Sequence, residues 1–86
     1  MYEVEILPRV YKALKRLPKQ DVARIVEHMR RLAQTPRPPG CKKIHGREDV
    51  YRIRVGAYRI LYRIRDAEHR VTVLNIGHRK EIYRHL

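Results

Sequence analysis

A chain of 86 residues folds as one small domain, with room for about two packed layers of secondary structure. With 21 Lys and Arg against 9 Asp and Glu, it carries a formal charge of +12, which points to nucleic acid, an anionic surface or an acidic protein as partner. A single cysteine, Cys41, excludes an intramolecular disulfide and a cysteine metal cluster, and no apolar run is long enough to span a membrane. Fifteen of the 21 basic residues are Arg, whose planar fork binds phosphate with two bonds and stacks on bases. The N-terminus lacks the charged and apolar regions of a signal peptide, so a cytoplasmic location is expected.

Tyr2, Val4 and Ile6 alternate with Glu3 and Glu5 and predict a first strand, ended by Pro8. Val10, Ala13, Leu14 and Leu17 follow at helical spacing, and Pro18 separates this short helix from a second. Val22, Ile25, Val26, Met29, Leu32 and Ala33 form the stripe of that longer helix, which is expected to end near Thr35-Pro36. Their short connection predicts a helical hairpin. Pro36-Arg37-Pro38-Pro39-Gly40 is a loop, followed by Cys41, read as an inert, part-buried thiol.

The stretch from Val50 to Arg65 predicts two strands about a turn at Gly56-Ala57, with glycine placed for a type II′ turn. Tyr51, Ile53, Val55, Tyr58, Ile60, Tyr62 and Ile64 mark one face. Arg52, Arg54, Arg59, Arg63 and Arg65 mark the other, together with Leu61 and without an acid. One or two such charges would be an ordinary solvated face, whereas five of one sign make a candidate polyanion site. Asp66 to His69 is the next turn. In the last strand Val71, Val73 and Asn75 are expected to alternate with Thr72, Leu74 and Ile76, and Gly77 stops it. The fold class is therefore α+β, in the order β-α-α-β-β-β. A small, mainly antiparallel sheet packs its apolar face on the helical hairpin and leaves its arginine face open.

No phosphate-binding glycine loop and no histidine metal motif is present. His45, His69, His78 and His85 lack the spacing of a helical metal pair, and His28 stands alone, so no metal and no cofactor is expected. Arg with Tyr, Lys and His can cleave RNA without metal. The 2′-hydroxyl attacks the neighbouring phosphate, one group accepts its proton, another protonates the departing 5′-oxygen, and cations stabilise the transition state.

Three segments carry a family resemblance: Lys42-Lys43-Ile44-His45-Gly46, the run from Val50 to Tyr62, and Ile76-Gly77-His78-Arg79-Lys80-Glu81-Ile82-Tyr83. Over nearly its whole length, Tyr2 to Tyr83, the chain resembles the RelE/ParE toxins of type II toxin–antitoxin pairs, and most of all the RelE branch. The resemblance implies a single RelE-like domain over residues 1–86. It also implies a metal-independent endoribonuclease that cuts mRNA in the ribosomal A site and so inhibits translation.

Carried over by position, the catalytic set is Arg52, Arg54, Arg59, Arg79 and Tyr83. Arg52 and Arg54 stand where well-studied RelE toxins have lysines, and fit phosphate binding better than proton abstraction. Tyr83 would be the base or a stacking partner for the mRNA, two residues nearer Arg79 than in the best-known member. Lys42 and Lys43 would touch ribosomal RNA or substrate, Arg63 and Arg65 would extend the RNA-binding surface, and His78 could substitute as acid or base.

The implied partners are a small acidic antitoxin, mRNA and the ribosome. Operator DNA would be reached only through the toxin–antitoxin complex, and no membrane is involved. The competing functions are a ParE-like inhibitor of DNA gyrase without catalysis of its own, and a non-catalytic RNA- or ribosome-binding module.

Overall fold

The computed structural model describes residues 1–78 and 82. Alternation makes Glu3–Ile6 a strand, β1, with Glu3 and Glu5 outward and Val4 and Ile6 against the core. Pro8 opens the helix α1, Pro8–Leu14, where its missing N–H costs nothing. Val10 and Leu14 are its buried residues. Pro18 stands at the N-cap of α2, Lys19–Arg31, which buries Ile25 and Met29. The helix stops at Arg31, four residues before the expected end. The backbone then tightens into three-residue bonds, from the Leu32, Ala33 and Gln34 N–H groups to the Met29, Arg30 and Arg31 carbonyls.

The strands β2 (Lys42–Lys43), β3 (Val50–Val55), β4 (Tyr58–Arg65) and β5 (Arg70–Gly77) complete a five-stranded sheet in the order β1-β5-β4-β3-β2. β1 pairs parallel to β5, and every other pairing is antiparallel. β2 is a strand beyond the four expected. Its two exposed lysines carry no apolar alternation, and it exists through pairing, Lys42 with Arg52 and Lys43 with Tyr51. β3 and β4 meet through the two-residue turn Gly56-Ala57, where Gly56 takes φ +60° and Ala57 stays negative, as a type II′ turn requires. The Arg24 guanidinium packs 3.0 Å from where a Gly56 Cβ would stand, so α2 closes over the hairpin tip.

The main core lies between helices and sheet: Val10, Leu14, Ile25, Met29 and Leu32 against Ile53, Val55, Ile60, Tyr62, Ile64, Val71, Val73 and Ile76. Ile76 corrects the expected alternation. The β4/β5 register shifts between Leu61 and Tyr62, so that Leu61 pairs with Asn75 and Tyr62 with Val73. This bulge spends Leu74 as the extra residue and returns Ile76 to the side of Val71 and Val73.

The arginine face is not simply open to solvent. Val50, Leu61 and Ile82 are fully buried there, with Ile44 and Leu74 against them, and the Asn75 side chain donates to the Ile82 carbonyl at 3.2 Å. A second, smaller core thus sits on the far side of the sheet, with Ile44 and Ile82 against β3, β4 and β5. Among the described residues no helix is long and apolar enough to cross a membrane.

Candidate functional site

The register lays the arginine face out in rows. Lys42, Arg52, Leu61 and Asn75 lie across one row, and Arg54, Arg59 and Gly77 across the next. Lys42, Arg52, Arg54 and Arg59, with Gly40 from the preceding loop, line a cavity of about 220 Å³. Arg54 and Arg59 also line an adjoining cavity of about 310 Å³ with Ala57 and His78. Gly77, opposite Arg59, adds no side chain, so the row opens toward His78. The Arg54 Nε donates to the Gly56 carbonyl at 3.0 Å, which holds that guanidinium over the hairpin tip.

Among the described residues no carboxylate lines either cavity. Among the described residues the ion pairs are Arg31 with Glu27, Arg37 with Asp66, and Arg70 with Glu3 and Glu5, and the four cavity cations take part in none of them. Converging cations without internal counter-charge form a site for an anion with several oxygens, such as a phosphodiester.

The five arginines of the hairpin do not act as one surface. Arg63 stands four residues along β4 from Arg59, roughly 13 Å at strand rise. It lines a different pocket, of about 140 Å³, with Arg9, Arg47, Leu61, Leu74 and Ile82. Its Nε is buried there without a partner among the described residues. Arg65 is exposed, about 20 Å from Arg59, and faces Arg70. Lys43 lines a fourth hollow with His45 and Arg47. Arg79 and Tyr83 lie outside the described residues.

Sequence reading missed what holds the loop beside the site. The Arg37 guanidinium donates to both Asp66 oxygens, at 2.8 and 3.3 Å, and to the Tyr51 hydroxyl at 3.2 Å, while lying 5.2 Å from the centre of that ring. The Tyr2 hydroxyl donates to Asp66 as well. Beneath, Tyr62 stacks on Tyr51 and donates to the Pro36 carbonyl at 2.9 Å. Burial, helped by the neighbouring Cys41 thiol, pushes the Tyr62 hydroxyl up, so it keeps its proton. These contacts fasten the proline-rich loop across β3 and β4 and so set Gly40 and Lys42 at the cavity.

The Arg37 bond, then that of Tyr2, lowers the Asp66 carboxyl from its ordinary 3.8 to about 2. A depressed carboxylate stabilises the fold above its unfolded value and loses that contribution as the pH falls toward the folded one. Denaturation midpoints are therefore expected to drop between about pH 4 and pH 2 in the wild type, and less steeply in Asp66→Asn. Equal slopes for the two proteins would show that this network contributes nothing to acid stability.

Behind the site the Tyr58 hydroxyl donates to Asp21 Oδ2 at 3.0 Å, and its ring lies 4.6 Å from that of His78. The bond to Asp21 raises the Tyr58 phenol above its ordinary value.

The family model for the ParE toxin of type II toxin–antitoxin systems matches residues 4–83. Toxin RelE of Mycobacterium tuberculosis is 33% identical over 84 residues, covering 96% of this chain and 87% of that protein. Toxin RelG of the same organism is 32% identical over 84 residues, covering 96% and 97%. The solved archaeal RelE–RelB complex from Pyrococcus horikoshii superposes with a TM-score of 0.82 at 32% identity, over 92% of this chain and 96% of that one. The two-helix, five-strand architecture is thus that of a known toxin group, and this chain belongs to the RelE/ParE toxin family of type II toxin–antitoxin systems, on its RelE side.

Proposed function

We propose that this toxin is a ribosome-dependent, metal-independent endoribonuclease that cuts mRNA in the cytoplasm. The observation that carries the reading is the cavity of Lys42, Arg52, Arg54 and Arg59, which adjoins His78. The guanidinium groups would hold the non-bridging oxygens of the scissile phosphate and stabilise the charge that grows on them. The substrate 2′-oxygen attacks phosphorus and the bond to the 5′-oxygen breaks, leaving a 2′,3′-cyclic phosphate and a 5′-hydroxyl. The 2′-hydroxyl proton passes to a base, and the 5′-oxygen takes one from an acid. Arginine serves poorly in either role, because it stays protonated. Family resemblance gives Arg79 and Tyr83 a part in the same chemistry.

A small acidic antitoxin is the expected partner. The Pyrococcus horikoshii relative is a RelE–RelB complex, and a +12 surface suits acidic segments. Expression without antitoxin is expected to arrest growth and to leave codon-phased cuts in translated mRNA, read by mapping 5′ ends. Equal cutting of untranslated RNA would defeat ribosome dependence. Because the matching family model bears the ParE name, the contrasting outcome is specific: DNA breaks with mRNA intact would favour gyrase inhibition.

A further inference from the structure

We infer that Tyr58, clamped by Asp21, is a positioning residue that holds the His78 ring at the rim of the Arg54–Arg59 cavity, where His78 carries a proton of the cleavage step. The inference rests on the RNA-cleavage reading above.

The two adjoining cavities are lined by Gly40, Lys42, Arg52, Arg54, Ala57, Arg59 and His78. Guanidinium groups have only donors and do not deprotonate in proteins, and a protonated lysine also has only donors. A neutral imidazole has one donor and one acceptor nitrogen, so it can take up a proton without first losing one. His78 is therefore the described lining residue best suited to relay a proton between substrate and solvent.

An exposed side chain just past a strand end has several rotamers open to it, and a proton carrier gains from having one. The contact with Tyr58 restricts it. The rings lie 4.6 Å apart with a 36° tilt, within the range of attractive aromatic pairing. Tyr58 is itself fixed twice. Its backbone pairs with Val55 beside the Gly56-Ala57 turn, and its hydroxyl donates to Asp21 at the start of α2. That bond also favours the protonated phenol, so Tyr58 supplies a surface and not a base. Among the described residues, the charged groups around His78 are Arg54 and Arg59 from the hairpin, with Asp21 and Arg24 from α2 behind the Tyr58 ring.

The test follows cleavage of a defined mRNA on programmed ribosomes against pH, alongside NMR spectra of the free toxin. His78→Gln is expected to cut at least about 100-fold more slowly and to change the shape of the pH profile. Tyr58→Leu is expected to slow cutting about tenfold or more, with a displaced ionisation and His78 ring-proton signals moved by loss of the tyrosine ring current. Tyr58→Phe keeps the ring but gives up the Asp21 bond, and is expected to recover the His78 signals and the rate only in part, whereas Asp21→Asn, which still offers an acceptor oxygen, is expected to behave as wild type. The inference is overturned if wild type cuts while His78→Gln retains its rate and profile. It is equally overturned if Tyr58→Leu loses activity only in proportion to unfolded protein, with the pH profile unmoved. A wild type that cuts no RNA defeats the functional reading itself, a different result from either.

Discussion

Arg59→Gln is expected to lower the rate of mRNA cleavage on ribosomes by about 100- to 1,000-fold, the loss typical when one preorganised donor to a developing charge is removed. Arg59 is singled out because it lines both adjoining cavities, faces Arg54 directly across the hairpin, and neighbours Gly77, whose missing side chain leaves it approachable. Arg59→Lys retains the charge but not the two-pronged geometry, and should recover only part of the rate. Arg31→Gln, which removes one charge from the end of α2, controls for net charge. If Arg59→Gln and Arg31→Gln slow cleavage alike, the cavity is not where the phosphate binds.

Tyr62→Ala is expected to cost about 3–5 kcal/mol of folding stability, against a total of about 5–15 kcal/mol for a domain of ordinary stability. Tyr62 is fully buried at the centre of the main core, stacks on Tyr51 and carries the bond to the Pro36 carbonyl. Tyr62→Phe separates the contributions. It keeps the ring and loses the hydroxyl, leaving the part-buried Pro36 carbonyl short of a donor, at about 1 kcal/mol. Urea unfolding followed by circular dichroism measures both. A smaller loss for Tyr62→Ala than for Tyr62→Phe would refute the packing account.

Much of the fold was legible because its signals are local. Val10 and Leu14 on α1, Ile25 and Met29 on α2, and the alternation around Gly56-Ala57 each declare their element within a few residues. β2 was not legible, because two exposed lysines become a strand only by pairing with Tyr51 and Arg52. The bulge at Leu61/Tyr62 was equally hidden: strict alternation sent Ile76 to the wrong face, and only the register shift between strands returns it to the core. Leu61 stood among arginines in the sequence with nothing to mark it as the centre of a second core, whose other members come from residues 44, 50, 74 and 82. At the site, the types and the strand positions of Arg52, Arg54 and Arg59 were readable. Their separation from Arg63 and Arg65 was a matter of distance along β4, and the anchoring by Arg37 and Asp66 joins residues 29 positions apart.

The parallel pairing of β1 with β5 has a consequence in time. Glu5 meets Thr72 across 67 positions of chain. A ribosome adding about 5–20 residues per second needs roughly 3–13 s to travel that interval. During synthesis Val4 and Ile6 have no sheet to join, while the β3–β4 hairpin with its arginines can already close on local contacts. Completion of the fold is thus deferred until β5 has been made, and a nascent chain halted before it would display its basic hairpin without the finished body that supports it.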